Sequence, residues 1–349
     1  MSTSRWDIRI NQGGTVIDPL EARILRAKKS AIAIATRIIT RGGTGHEYWK
    51  HFTDAKARER TPNVGGEIYK LLFFPTLEMP IKTPDIPLAG FGYGSGVLRL
   101  AFDIVGLANG LPVPDSTRAK GDETQLQDDQ IGTETLEYLT KARRVVKLIL
   151  SNEPLSLGLH PALYFYTAGG TFQAPALLNC IAWFLDLEKR GKIQQFLKVR
   201  GAFENLMISH PAVIKPATHK LGSGSRTRSK MLELFERALE LLSANKDPAR
   251  AWKRLVKEFP YLAADEEEQV EAAHNKGKSG GKFSRSTKSA ASLSDLSNIQ
   301  KCVLCGGLLH KNGKVVDHKE PRSGRGSSAS ANARWVHPAC NSNRQAMKK

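Results

Sequence analysis

Near the C-terminus, four side chains have the type and spacing of a metal site: Cys302-x2-Cys305 and, some thirty residues on, His337-x2-Cys340. Three thiolates and an imidazole supply four soft or borderline ligands, the number that a closed tetrahedral Zn²⁺ site takes. The first pair lies on a turn written Cys305-Gly306-Gly307, and the second opens a short terminal helix. A module of about fifty residues cannot build a sufficient core, so a metal staple has a physical reason to be there. Residues of a different kind lie between and after the pairs. Asp317-His318 ends the apolar strand Lys314-Val-Val, Pro321 follows, Asn332 precedes His337, and Asn341 follows Cys340 directly. Asp317 and Asn341 offer oxygen donors, which suit Mg²⁺ or Mn²⁺ and do not suit the thiolate site. Arg344, one helical turn past Asn341, can reach a substrate phosphate. His310 is expected to stand exposed in the turn Lys311-Asn312-Gly313 and not to be a ligand.

Over residues 301–345 these motifs resemble the zinc-bearing HNH (ββα-metal) endonucleases. That family has two Cys-x2-Cys-like pairs, Asp-His-x-x-Pro, a Gly-containing loop, an Asn before the second pair, and Cys-Asn-x-x-(Lys/Arg) after it. His337 departs from the family by standing where cysteine is commoner, yet it remains a competent zinc ligand. The resemblance implies metal-dependent hydrolysis of DNA phosphodiester bonds. It makes His318 the general base, with Asn332 tying down the loop and Arg344 on the phosphate; Asp317 and Asn341 then hold a catalytic Mg²⁺ or Mn²⁺. An unperturbed imidazole, with a pKa of about 6.5, can take a proton at neutral pH. Cys302, Cys305, His337 and Cys340 would hold a structural Zn²⁺. The alternative is a non-catalytic zinc module that anchors the rest of the chain on nucleic acid. Asp317, His318 and Asn341 discriminate the two, since a mere binder needs no hard-metal site beside the zinc.

Charge points to the same partner. The chain carries a formal +18, and residues 272–349 hold fifteen Lys/Arg against three Asp/Glu, a net +12 that leaves +6 for the first 271 residues. A cationic segment accompanying a metal-type motif fits phosphate backbone. The fourth cysteine, Cys180, lies in the apolar run Leu-Leu-Asn-Cys-Ile-Ala-Trp-Phe and reads as core packing. No apolar run approaches the roughly 18 uncharged residues of a membrane span. The start, Met1-Ser-Thr-Ser-Arg-Trp6, is not a secretory signal. A cytoplasmic protein without a membrane partner is expected.

The elements that must position this site read as mainly helical, with some strand. Asp18-Pro19-Leu20-Glu21 is a helix start whose period runs to Thr40, where Gly42-Gly43 ends it. Prolines break up residues 73–90; helices follow at 97–109, at Leu136–Ile149 and at Met231–Leu242, and another is opened by Asp247-Pro248. Ala162–Tyr166 reads as a strand, residues 112–134 as a surface loop, and Leu221–Lys230 as a basic loop suited to DNA backbone or to solvent. Residues 274–294, rich in Lys, Gly, Ser and Ala, read as a linker. The expected organisation is a helical targeting or regulatory body (1–271), a basic flexible linker (272–298) and a tethered ββα-metal nuclease module (299–349). Leu157-Gly-Leu-His160-Pro161-Ala-Leu-Tyr164-Phe-Tyr166 and Arg200-Gly-x-Phe203-Glu204 resemble the helical region that follows the ParB-like domain in some modification-dependent restriction and phage-defence proteins. Those also end in HNH-type domains, but their Asp-Gly-Gln-Gln-Arg signature is absent here. The body is thus expected to supply targeting or control, with a homo-oligomer or a protein partner as further expectations and restriction or phage defence as the setting.

Overall fold

A computed structural model describes residues 24, 27–45, 47–111, 127–213, 225–263, 281–294 and 296–347. The expected helix start at Asp18, most of the polar segment from 112, residues 221–224 of the basic loop, and residues 272–280 and 295 of the linker lie outside these residues. The chain divides into two compact units, Met1–Leu72 with Phe91–Val145, and Phe73–Gly90 with Val146–Lys349. Among the described residues no helix is long and apolar enough to cross a membrane.

In the first unit, α1 (Ala31–Thr40) is apolar nearly all round and is therefore buried. It packs along α3 (Ser95–Ala108). The intervening α2 (Ala55–Phe73) comes so close to α1 that a Cβ on Gly65 would stand 2.1 Å from Ile38 Cγ2. The start of α4 (Thr133–Ile149) is fastened by the Asp129 carboxylate, which accepts from the Gly132 and Thr135 amides and the Thr135 hydroxyl.

The second unit is built on α6 (Ala174–Lys189), α7 (Ile193–Ser209), α8 (Ser225–Ala244) and α9 (Pro248–Glu258), with α7 touching the other three. Trp183 is the centre of an aromatic cluster with Phe184, Phe196, Phe203 and Phe235, all at ring separations below 6 Å. Cys180 is buried in α6 beside this core. Asp247 caps α9 as its sequence implies, accepting from the Ala249 and Arg250 amides, with Pro248 at the first position.

Three segments differ from the sequence expectation, the first being residues 225–230 of the expected basic loop, which are helical and open α8. Ala162–Tyr166 is not a strand: Pro161–Tyr164 forms the short helix α5, and Tyr166 makes only an isolated bridge to Phe172. Its side chains are buried on every side, so no alternation existed to be read. The second half of the expected linker contains α10 (Arg285–Leu293), capped by the Ser284 hydroxyl on the Thr287 amide. Two buried side chains hold it. Leu293 packs inward, and the Ser289 hydroxyl accepts from the Ile81 amide at 3.0 Å.

The chain ends in an antiparallel ribbon, β1 (Val315–His318) with β2 (Ala333–Val336), followed by α11 (Pro338–Ser342) and α12 (Arg344–Met347). A mainly helical body with a small C-terminal ββα module is thus the architecture. Register pairs Val316 with Trp335 and Asp317 with Arg334. Because side chains alternate, Val316, His318, Ala333 and Trp335 share one face, and Val315, Asp317, Arg334 and Val336 the other.

Trp183 carries the helical core, so Trp183→Ala is expected to cost about 3–5 kcal/mol in denaturant unfolding of the second unit. A loss under 1 kcal/mol would mean that the aromatic cluster is not the core.

Candidate metal centre and the adjoining ribbon

Cys302 and Cys305 sit on a tight turn. The Cys302 amide donates to the Gly307 carbonyl, and the Gly306 amide donates to Cys302, both at 2.8 Å. Gly306 supplies the left-handed φ of 75° that the turn needs. His337 precedes α11, and Cys340 lies within it. The four ligand atoms of Cys302, Cys305, His337 and Cys340 all lie within 4.8 Å of one another. Among the described residues this is the one such convergence of three or more His, Cys, Asp or Glu side chains.

The donor set fits Zn²⁺. His337 Nε2 stands 2.9 Å from the Leu308 carbonyl, which can only accept, so Nε2 carries the proton and Nδ1 keeps a lone pair. Nδ1 lies 3.4 Å from Cys305 Sγ. Burial, and then the Arg200 charge, hold His337 below the usual imidazole range, in the neutral form that ligates. Hydrogen bonds with Cys305 and Cys340 drive Cys302 down as a thiolate; the contact with Cys302 pushes Cys305 up to about 12, and the contacts with Cys302 and Cys305 raise Cys340. Three thiolates packed this closely need a cation between them to ionise together.

The centre is locked onto α7 by Arg200 and Glu204, residues whose local pattern does not itself point to the metal site. Arg200 is fully buried; it donates through Nε to Glu204 at 2.6 Å, through one Nη to the Leu157 carbonyl and through the other to Gly158 O at 3.1 Å. Glu204 in turn accepts from the Leu308 amide at 2.6 Å and the Tyr164 hydroxyl at 3.1 Å. The Gly201 amide donates to the Cys305 carbonyl at 3.0 Å, and a Cβ there would stand 2.6 Å from that oxygen. Ser156 O accepts from the Ala339 amide. The module is therefore docked on α7, not tethered beside it. One signal was legible: Arg200 and Glu204 are charges one turn apart inside the apolar stripe of Phe196, Phe203 and Met207.

The remaining sequence-derived site residues fall around the ribbon. Asp317 is buried; Arg334 donates to its Oδ2 through Nε and Nη2 at 2.9 and 2.8 Å, and Arg344 to its Oδ1 at 3.1 Å. His318 is half-buried on the opposite face, and its ring has no hydrogen-bond partner among the described residues. Asn332 closes the loop between the strands, accepting from the Glu320 amide and donating to the Glu320 and Ser327 carbonyls. Asn341 is exposed on α11. Asp317 and Arg344 are brought together; Asp317 and His318 are turned apart.

His310 is fully buried, not exposed. Its Nδ1 accepts from the Asn312 amide at 3.2 Å, Nε2 lies 3.6 Å from Asp85 Oδ1, and its ring meets that of His160 edge-on at 5.4 Å. The turn after it is held inward, since Gly313 abuts Gly158 and Lys314 N donates to Asn152.

No family model matches the chain, and neither a curated protein nor a solved structure matches it.

Two outcomes follow. Elemental analysis should find about one zinc per chain. Because of the Arg200–Glu204 contacts, Cys302→Ser or zinc removal should strip hydrogen-exchange protection from residues 156–163 and 196–209 as well as from the tail. Loss confined to residues 299–347 would contradict the docking. Separately, burial depresses His310 from 6.5 to about 4, so the unfolded state binds the extra proton first. The stability from this group is complete above about 6.5 and is lost as pH falls towards about 4, by up to ~1.4 kcal/mol per pH unit. Denaturant unfolding of His310→Leu should show a shallower decline across that window than the parent; equal slopes would remove His310 as the cause.

Proposed function

We propose that residues 299–347 form a zinc-stapled nucleic-acid-binding module that anchors the helical body on its target. The observation that carries this reading is the outer face of the ribbon. Trp335 is 40% exposed beside Val316 at 52%, and the Lys314 ammonium stands 4.7 Å over the Trp335 ring. An exposed aromatic ring offers a surface on which a base or sugar can stack. Elsewhere in the module Lys311, Lys319, Arg322 and Arg325 are exposed cations that can take phosphate contacts. The net charge of +18 supports the same partner. The body would add targeting, or contacts to a protein partner or a second copy.

A second reading is endonucleolytic hydrolysis of DNA as in the HNH enzymes, in a restriction or phage-defence setting. It is favoured by His318, an imidazole at the end of β1 with no hydrogen-bond partner among the described residues, beside the loop that Asn332 closes. On this reading Asp317 and Asn341 hold Mg²⁺ or Mn²⁺, His318 takes the proton from water, and Arg344 meets the phosphate. Asp317 would then have to exchange an arginine for the metal, because both its oxygens are engaged. That cost places this reading second.

One pair of measurements separates them. Trp335→Ala should weaken duplex or single-strand binding by about 5- to 150-fold, the usual worth of a stacked base; unchanged affinity would refute the binding face. Plasmid incubated with Mg²⁺ or Mn²⁺ should stay intact under the first reading. Nicking that His318→Ala slows by about 10²–10⁴ would establish the second.

A further inference from the structure

Helix α9 carries a second surface that the module does not contain. Arg250, Lys253, Arg254 and Lys257 recur at the spacing i, i+3, i+4, i+7, which places all four on one helix face. All four are exposed. None forms an ion pair among the described residues. Three cations of the neighbouring helices are paired instead: Arg190 and Lys192 are both held by Glu236, and Arg237 is held by Glu240 and Glu258. Glu258, the acid at the end of α9, has its carboxylate engaged by Arg237 at 2.7 and 2.9 Å and only feels Arg254 and Lys257 through space. A row of four cations with no ion-pair partner among the described residues repels itself, and helix formation alone does not ask for it.

The opposite face shows what the ridge is not. Ala251 and Leu255 are buried, and Trp252 stacks on His210 with ring centroids 4.0 Å apart. A helix that lies on a lipid surface needs apolar side chains free to insert beside its cations. Here those side chains are already spent on the core, so the ridge offers charge without an apolar flank. It fits a partner that is itself a dense row of negative charge.

We infer that the Arg250–Lys253–Arg254–Lys257 face of α9 is a sequence-independent contact to the phosphate backbone of a DNA duplex. At a rise of 1.5 Å per residue the ridge extends about 10 Å, comparable to the axial rise of about three base pairs of a duplex. The inference takes its partner class from the reading of the module as nucleic-acid-binding, and it assigns that partner a second foothold in the same compact unit. Such a contact adds affinity and orientation without sequence choice, leaving any preference to the ribbon or the body.

The test is fluorescence anisotropy of the zinc-loaded full chain on a labelled duplex, without added Mg²⁺ or Mn²⁺, across a salt series. Three proteins are compared with the parent: a ridge variant (Arg250→Gln, Lys253→Gln, Arg254→Gln, Lys257→Gln), a charge-keeping variant (Arg250→Lys, Arg254→Lys), and a module variant (Trp335→Ala, Arg322→Gln, Arg325→Gln). Each phosphate contact contributes about 0.9 to the slope of log K against log salt. The ridge variant should lose about two to four in slope and at least tenfold in affinity at low salt, with its helical circular dichroism unchanged; the charge-keeping variant should track the parent. A folded ridge variant with the parent's slope overturns the inference, as does a loss of binding to anionic vesicles with duplex binding untouched. If the module variant binds as well as the parent while the ridge variant does not, the module reading falls and the ridge stands. If the parent binds no duplex, both fall.

Discussion

The second unit depends on a buried guanidinium. Arg200 has no access to water, and a charge in that position is costly unless every donor is met. It is met by Glu204 and by the carbonyls of Leu157 and Gly158, which fixes the chain just before α5 against α7. Glu204 passes the constraint on, because its second oxygen takes the Leu308 amide and so positions the chain leaving the Cys302–Cys305 turn. Leu308 then gives its carbonyl to His337, orienting the imidazole. One ion pair thereby sets the α7 surface, the cysteine turn and the tautomer of the histidine ligand.

The same pair has an electrostatic role at the metal centre. Zn²⁺ with three thiolates and a neutral imidazole carries a net charge of −1, and burying that without a counter-charge is unfavourable. Arg200 acts on Cys305, Cys340 and His337, raising the cost of protonated imidazole and lowering that of thiolate. The metal site and the helix under it are one electrostatic assembly. A small zinc module ordinarily relies on its metal alone for folding; here the helical unit shares the task.

The ribbon divides its functions between two faces. The inner face uses Asp317 with Arg334 and Arg344 to join β1, β2 and the start of α12. The outer face leaves Trp335, Val316 and His318 accessible. A catalytic metal and a proton acceptor must converge on one water, and strand alternation sends Asp317 and His318 to opposite sides. An exposed aromatic with the Lys314 ammonium over it needs no such convergence to bind nucleic acid.

The four residues of the candidate zinc site were legible in the chain because ligand type and spacing are local: x2 between partners, a Gly-Gly turn, and a helix start at Pro338. The helix of Asp247-Pro248 was legible for the same reason, its cap and period being written in adjacent residues. Local pattern also placed β1 at the Val-Val before Asp317. It failed at Ala162–Tyr166, where burial on all sides erased the alternation that marks a strand, and at 285–293, where polar composition concealed two inward side chains. Only the tertiary structure decided that His310 is buried, that Asp317 is engaged by two arginines, and that Arg200 and Glu204 belong to the metal centre. Those partners lie 17 to more than 200 residues apart, and a sequence pattern records spacing along the chain but not which distant groups must satisfy a buried charge.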